Sequence, residues 1–341
     1  MESEKKRIVG IDLLRLLTMY MIVLIHMLNH GGIKDAVTGM SGQYKVIWAM
    51  ETLVCCAVNV YAIISGYVGY TKKQNDVRKF GTLWFQVFFY SVFFYLLLGV
   101  RMEGFSLKQF IKVLFPVTTT QYWYFTAYAG VYLISPWVNR LIRQMEAKEA
   151  KRSFCLFMSI LAYVSIVGMV YDPFRLEAGY SVIWLTVLYI LGAFMRKLEF
   201  VETVSTGKAV MYLAVCWCGS FLMKMLIPTQ DISVCYTFIT TIGMSIALIV
   251  IFSKMRFTKK AEKIIRAAAP AAFGVYLIHD NKFVRAAFMS NRFEWISTLA
   301  PWKLVMIVCG IGLLIFAVSM FIHATFMSIY VRFIDVKMKK R

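Results

Sequence analysis

Apolar runs about 18 to 22 residues long recur along the 341-residue chain, separated by short polar connections. A helix of this length crosses the hydrocarbon core of a bilayer. The pattern therefore predicts an all-α polytopic membrane protein, with a single domain over residues 1–341 and about ten transmembrane helices. The predicted spans are about 9–30, 45–70, 80–100, 121–139, 153–171, 180–195, 208–227, 233–253, 270–289 and 303–326.

Basic residues separate the two sides of this predicted bundle. Most of the 38 Lys and Arg residues lie at the chain ends and in alternate connections, including Lys5, Lys6, Arg7, Lys72, Lys73, Arg78, Lys79, Lys340 and Arg341. Cytoplasmic loops of membrane proteins carry this excess. Both termini are therefore predicted to be cytosolic, with the protein in the cell membrane. The net charge of +20 then predicts contact with membrane lipids rather than with nucleic acid.

Composition supports the membrane class and narrows the chemistry. The chain is 60% hydrophobic and 16% charged, whereas a soluble domain is nearer half apolar and a quarter charged. The seven cysteines lie inside apolar runs at spacings that match no zinc pattern, so no metal site is predicted. The connections are short and contain no second soluble domain. Residues 105–115 predict a short interfacial helix, with Lys108 and Lys112 on its polar side.

The first span carries polar residues that a lipid-facing helix would not. Arg15 and His26 are eleven residues apart, which places them about 20° apart in direction and about 16 Å apart in depth on one helix. Asp12 is near enough to pair with Arg15, and Ile22 lies on the same stripe. One interpretation is that Arg15 reaches the interface beside Asp12 while His26 bonds another helix. The alternative is a polar channel in which His26 transfers a proton.

Polar residues in the ninth span also suggest a site. The ninth span contains His279, Asp280 and Asn281, followed by Lys282 and Arg285. This is too much charge for a lipid-facing helix. Either the span ends early and its polar part is outside the membrane, or it lines an aqueous cavity. We favour the cavity or its outer mouth.

The second and fourth spans are open to a structural or a functional interpretation. Ser65, Gly66 and Tyr67 precede the basic loop, and small residues there serve helix packing as readily as ligand binding. Trp123 and Tyr124 lie where an aromatic belt is expected. Further along the fourth span, a proline frees backbone groups that need partners, and Asn139 follows it closely.

Four stretches together resemble the acyltransferase 3 family of integral-membrane acyltransferases, in particular bacterial surface-polysaccharide O-acyltransferases. They are "GIDLLRLLTMYMIVLIH" (10–26), "ISGYVGYTKK" (64–73), "YWYFTAYAGVYLISPWVNRLI" (122–142) and "FGVYLIHDN" (273–281). The resemblance covers nearly the whole chain and implies a ten-helix membrane domain. It also implies transfer of an acyl group, usually acetyl, from cytosolic acyl-CoA to a glycan hydroxyl, without a metal. The implied partners are the glycan acceptor, membrane lipids and proteins of polysaccharide assembly.

The resemblance assigns roles to individual residues. His26 and Arg15 correspond to the family's essential histidine and arginine, with Asp12 beside them as the third catalytic candidate. The candidates for binding acyl-CoA are Ser65, Gly66, Tyr67, Lys72, Lys73 and Arg78. The candidates for binding the acceptor are Trp123, Tyr124, Asn139, His279, Asp280 and Asn281. Many members carry paired arginines after the Ser-Gly-aromatic motif, whereas this chain has mainly lysines, which bind phosphate as point charges.

Two other functions are compatible with buried charge in a membrane bundle. One is transport or export of a glycan precursor or small solute, although the chain shows no internal repeat of the kind found in many transporters. The other is a binding or sensory subunit without catalytic activity. The presence of both Arg15 and His26 favours the enzyme.

Overall fold

The computed structural model of the protein describes residues 7–168, 171–172 and 174–339, with side chains as far as residue 330. These residues form sixteen α-helices and, within the same ranges, no strand, which confirms the predicted all-α class. The helices are α1 (Val9–Asn29), α2 (Gly42–Val54), α3 (Ala57–Gly69), α4 (Val77–Phe94), α5 (Val100–Glu103), α6 (Leu107–Leu114), α7 (Trp123–Gln144), α8 (Ala147–Val167), α9 (Val182–Lys197), α10 (Phe200–Thr203), α11 (Thr206–Leu226), α12 (Ile239–Ser253), α13 (Lys259–Ala268), α14 (Ala272–His279), α15 (Lys282–Phe288) and α16 (Pro301–Lys339). The basic residues Lys5, Lys6, Lys340 and Arg341, and residues 169–170 of the predicted fifth span, lie outside the described residues.

Seven helical segments in the described part of the chain are long and apolar enough to cross a bilayer. They are Val9–Asn29, Gly42–Gly69, Val77–Glu103, Ala147–Val167, Thr206–Leu226, Ile232–Ser253 and Pro301–Tyr330. The predicted spans at α7, α9 and α14 are outside this set: α9 has 16 residues, α14 has 8, and α7 is long enough but less apolar. The protein is thus a polytopic helical membrane protein, while ten spans and cytosolic termini stay predictions.

The first helix lies at the centre of the bundle. It packs against α2, α3, α12, α14 and α16, and Leu14, Val23 and Met27 are fully buried. Its polar residues therefore face other helices rather than lipid. We refer to the two ends of the bundle, by the residues of α1 found there, as the Arg15 end and the His26 end.

Two glycines bring α3 and α9 into close contact. A Cβ on Gly66 would overlap the backbone carbonyl of Tyr189, and a Cβ on Gly192 would overlap that of Ile63. Small residues at facing positions let helices in membranes approach at backbone distance. This pair therefore determines how closely α3 lies against α9, and it holds the neighbouring Tyr67 at the Arg15 end.

The predicted ninth span, 270–289, is not one continuous helix. Helix α14 ends at His279, and Asn281 begins α15 by accepting a hydrogen bond from the Phe283 N–H at 3.0 Å. The hydroxyl of Tyr122 donates to the carbonyl of Leu277 at 2.8 Å, so a carbonyl near the helix end keeps a partner. The helix therefore ends early, and Asp280 and Arg285 beyond its end line a cavity, as the favoured interpretation of this span predicted.

Two other segments also bear on the predictions. The short helix predicted at 105–115 is confirmed by α6, which begins after the N-cap residue Ser106. The last helix continues well past the predicted end at 326, to Lys339.

Candidate functional site

At the His26 end, a cavity of about 500 Å³ opens between α1, α2, α7 and the turn after α14. We call it the His26 cavity. Its polar lining consists of His26, Asn29, His30, Lys34, Glu51, Asp231, Asp280 and Arg285. Its aromatic lining includes Tyr61, Trp123, Tyr124, Tyr180, Tyr236 and Tyr276. Residues from the first, fourth and ninth predicted spans thus meet in one space, together with residues that the sequence did not single out.

His26 is held by a hydrogen-bonded chain through α14. Its Nδ1 lies 3.0 Å from Nε2 of His279, whose own Nδ1 lies 2.6 Å from the carbonyl oxygen of Val275. A carbonyl only accepts, so His279 Nδ1 is the donor there and, in a neutral ring, its Nε2 is an acceptor. His26 Nδ1 must then donate, which leaves Nε2 of His26 with a free lone pair. The helix–helix bond expected of a packing histidine is present, yet it uses only one nitrogen.

The ion pair between Arg285 and Asp280 lines the cavity beside His26. Arg285 Nη1 donates to Asp280 Oδ1 at 2.9 Å and lies 3.0 Å from His30 Nε2, while Asp280 Oδ1 is 3.5 Å from His26 Nδ1. Ligand atoms of His26, His30 and Asp280 lie within 4.8 Å of one another, as a metal site requires. However, the Arg285 guanidinium already bonds two of these three groups. The residues therefore fit a hydrogen-bonded ion pair better than a cation site.

The opposite side of the cavity is aromatic. The rings of Trp123 and Tyr236 are nearly parallel, at 12° with centroids 6.3 Å apart, and Tyr180 lies 4.6 Å from Trp123. Tyr124 meets Trp123 edge-on. Aromatic faces of this kind provide a large apolar contact surface with polar hydroxyl groups at its margin. The aromatic residues predicted from the fourth span thus line the same cavity as His26.

Glu51 is the principal residue that the sequence-based prediction missed. It lies on α2, is 4% exposed, and its Oε1 accepts from Asn29 Nδ2 at 2.8 Å. It is the one acidic residue in the predicted span 45–70. Acidic residues inside membrane helices mark functional positions by default, so this signal was present in the sequence.

The Arg15 end carries a second set of charges, organised by Asp12. This carboxylate is 1% exposed and accepts from Arg7 Nε at 2.5 Å and from Arg15 Nη1 at 2.8 Å. The predicted Asp12–Arg15 pair is thereby confirmed. Because one carboxylate bonds two arginines, the group retains a net positive charge, and Asp12 acts by positioning them.

Two adjoining cavities of about 250 and 370 Å³ open at this end and share Arg7, Ile8, Tyr67 and Arg196. We call them together the basic cleft. The basic residues that line it are Arg7, Arg15, Lys72, Arg196, Arg256 and Arg266. Arg196 Nη1 donates to the Tyr67 hydroxyl at 3.2 Å, and its guanidinium lies 5.1 Å from the centre of that ring. Partial burial and the neighbouring charge of Lys79 lower the pKa of Lys72.

The acyl-CoA candidates divide into three groups. Tyr67 and Lys72 line the basic cleft, whereas Lys73 and Arg78 are exposed and outside its lining. Ser65 donates to the carbonyl of Tyr61 at 2.9 Å. Gly66 packs against α9. The Ser-Gly-Tyr stretch thus shapes α3 and presents Tyr67. Arg7 and Arg196, which belong to the basic residues used only to predict topology, complete the cleft.

Two amides predicted to bind the acceptor lie outside the cavity lining. Asn139 donates to the carbonyl of Gly69 at 3.0 Å and accepts from the Tyr189 hydroxyl at 3.0 Å. Asn281 caps α15 and donates to the Tyr122 hydroxyl at 2.8 Å. Both amides join elements of the bundle, and of the acceptor candidates only Trp123, Tyr124 and Asp280 line the cavity directly.

One stripe of α1 runs between the basic cleft and the His26 cavity. Arg15 and residues before it line the cleft, and Met19, Ile22 and His26 line the cavity at helical spacing. Between them, the hydroxyl of Tyr61 donates to the Arg15 carbonyl at 2.5 Å. Arg15 and His26 are separated by about 16 Å along the helix axis.

Comparison with known proteins gives one match. A family model described as an acyltransferase domain matches residues 8–324, nearly the whole described bundle. No curated protein and no solved structure matches the chain.

Proposed function

The chain belongs to this acyltransferase family, and on that premise we propose that it moves an acyl group from acyl-CoA to a hydroxyl of a cell-surface or lipid-linked glycan. Acetyl is the proposed acyl group, and the cell membrane of a bacterium is the proposed location. The observation that carries the proposal is the stripe of α1, which passes from a basic cleft to a cavity containing a histidine.

The donor would bind at the Arg15 end, which the distribution of basic residues predicts to be cytosolic. Guanidinium groups bind phosphate oxygens with paired hydrogen bonds, and Arg7, Arg15 and Arg196 present three of them at the cleft. The pantetheine arm is long and thin, so it extends along α1 past Tyr61. Its length is comparable to the separation of Arg15 from His26, which brings the thioester to the cavity.

The acceptor would enter the His26 cavity from the other side of the membrane. The faces of Trp123 and Tyr180 suit the apolar face of a sugar ring, while the hydroxyls of the sugar reach the polar wall. A hydroxyl placed against Nε2 of His26 is then beside the base and beside the incoming thioester.

The proposed chemistry is general base catalysis. The free lone pair on Nε2 of His26 takes the proton of the acceptor hydroxyl as its oxygen attacks the thioester carbonyl. The new C–O bond forms, the C–S bond breaks, and the departing CoA thiolate takes the proton from His26. His279 and Asp280 hold the ring, and the reaction needs no covalent intermediate on the enzyme.

The first test removes the base. We expect His26→Ala to lower acyl transfer by at least about 10²-fold, because general base catalysis contributes that much or more. The assay is mass spectrometry of surface glycans from cells that carry each variant, which also identifies the acyl group and the acceptor.

The matched control is His323→Ala, which removes a buried histidine that bonds Tyr90 on α4 and lies outside the cavity lining. It should retain acylation at equal protein levels in the membrane. Full activity of His26→Ala would refute the mechanism. Solute uptake by proteoliposomes in the absence of acyl-CoA would instead support a transporter.

A further inference from the structure

A buried carboxyl group in the His26 cavity has an oxygen without a partner. Oε1 of Glu51 accepts from Asn29, but among the residues that the structure describes, Oε2 has no hydrogen-bond partner although it is buried. Buried polar atoms in native proteins are nearly always satisfied. A partner for this atom is therefore expected from a molecule in the cavity.

The other acids of the cavity are already neutralised. Asp280 pairs with Arg285 at 2.9 Å, and Asp231 pairs with Lys224 at 2.7 Å and with Lys34 at 3.8 Å. Among the described residues, the hydrogen-bond partner of Glu51 is the neutral amide of Asn29. Of the carboxyl groups that line the cavity, it is thus the one left to bind a ligand.

The chemistry of the cavity indicates what this ligand is. A sugar hydroxyl donates to an ionised carboxyl group and thereby satisfies Oε2 of Glu51. A ligand carboxylate beside it would be repelled by an ionised Glu51. The aromatic wall of Trp123, Tyr180 and Tyr236 suits a ring with an apolar face.

We propose that Glu51 binds a hydroxyl of a neutral sugar unit of the acceptor and thereby selects which hydroxyl faces His26. The inference rests on the proposed function, which supplies the acceptor site. It adds a substrate class, a neutral sugar as opposed to a uronic acid, and a specificity-determining residue on α2.

The experiment measures sugar binding without any acyl donor. Purified protein in detergent micelles is titrated with methyl glycosides of glucose, galactose and mannose and with the corresponding methyl uronides, followed by saturation-transfer NMR. We expect the wild type to bind at least one neutral glycoside and to bind its uronide at least about 10-fold more weakly. Glu51→Gln should weaken binding of the neutral glycoside by about 10- to 100-fold, the value of a hydrogen bond to a charged group.

Two further variants keep the test independent of folding. Glu103→Gln alters an exposed glutamate at the end of α5 and should leave binding unchanged. Trp123→Ala removes the aromatic face, leaves the Glu51–Asn29 bond intact, and should weaken binding of the same glycoside. Thermal melting of each variant identifies any that fail to fold.

The outcomes separate this inference from the proposed function. Binding that depends on Glu51, without acyl transfer in the presence of acetyl-CoA, would support the inference and contradict the enzyme. Acyl transfer in which Glu51→Gln leaves the acceptor KM unchanged would overturn the inference and leave the enzyme standing. Equal or tighter binding of the uronide, or no binding of any neutral glycoside, would also overturn it.

Discussion

The two nitrogens of His26 have different surroundings, and this difference underlies the proposed chemistry. Nδ1 is fixed by His279, which is itself fixed by the carbonyl of Val275. The orientation and the tautomer of His26 are therefore determined by backbone one turn inside α14. A histidine held in this way presents a base without having to reorganise during the reaction.

A substitution at His279 tests this arrangement. We expect His279→Phe to lower kcat by about 10²-fold while the KM for acyl-CoA stays within about 2-fold, because the donor site lies elsewhere. His279→Gln should recover part of the loss, since its amide oxygen can accept from His26 Nδ1. The measurement is steady-state kinetics on purified protein with acetyl-CoA.

The control for that prediction is Asn281→Ala. Asn281 is a near neighbour that is equally buried but caps α15 and lies outside the cavity lining. It should lower the melting temperature with little change in kcat. Equal losses of kcat in His279→Phe, His279→Gln and Asn281→Ala would show that His279 is only structural.

The sequence indicated some residues of the candidate site but did not indicate which residues they bond. Arg15 and His26 stand out because each is polar within a long apolar run, where burial without a function is costly. The bond between His26 and His279 joins residues 253 positions apart, and no local pattern encodes such a pair. In the sequence, Asn139 and Asn281 could not be distinguished from ligand-binding residues. In the structure, the side chains of both form hydrogen bonds that join one helix to another part of the bundle.

At the scale of elements, the packing of α3 against α9 holds the Tyr67 side of the basic cleft. Gly66 touches the backbone of α9, so any side chain there separates the two helices. We expect Gly66→Ala to lower the free energy of unfolding by about 1–3 kcal/mol, the usual cost of overpacking. It should also raise the KM for acyl-CoA, because Tyr67 and Arg196 are carried by these helices.

Gly81→Ala is the matched control for this prediction. In the described part of the chain, no atom lies within 4 Å of a Cβ added at Gly81, and the residue lies inside α4. Replacing a helical glycine by alanine should stabilise the protein by about 0.5–1 kcal/mol. Thermal melting in detergent measures both variants, and a Gly66→Ala protein as stable as the wild type would contradict the close contact.

The lengths of the apolar runs in the sequence predicted where helices form, but not where those helices are interrupted. Most long apolar runs became helices, because a chain in a bilayer must satisfy its backbone internally. The run at 45–70 is divided between α2 and α3, and α16 continues beyond its predicted end to Lys339. The ninth run breaks at Asp280, where the Asn281 side chain accepts from the Phe283 N–H and the Tyr122 hydroxyl donates to the Leu277 carbonyl. Tyr122 is remote from this run in the sequence, so periodicity alone could not place the break.

At the scale of the whole molecule, the central position of α1 joins two chemically different ends. The Arg15 end is basic and suits a polyanionic donor, whereas the His26 end is aromatic and mixed in charge and suits a sugar. A helix at the periphery would expose Arg15 to lipid, at a cost of about 2.5–3.5 kcal/mol. Enclosure of α1 by the helices around it thus removes that cost and places one helix between the two ends.

This arrangement predicts that donor and acceptor are used from opposite sides. In proteoliposomes with the protein in one orientation, acetyl-CoA should support acyl transfer only when added on the Arg15 side, because its phosphates cannot cross the bilayer. Protein orientation is determined by labelling Lys73→Cys and Trp295→Cys with a membrane-impermeant maleimide. Both positions are exposed and lie in connections that the basic-residue pattern assigns to opposite sides.

Use of the donor should also depend on the positive charge of the basic cleft. Arg196→Ala removes a guanidinium that contacts Tyr67, and we expect it to raise the KM for acetyl-CoA about 10-fold without changing the KM for the acceptor. Raised ionic strength should weaken donor use in the same direction, since it screens exposed charge. Equal activity with acetyl-CoA on either side would mean that α1 does not connect two separate compartments, and the proposed path along its Arg15–His26 stripe would be wrong.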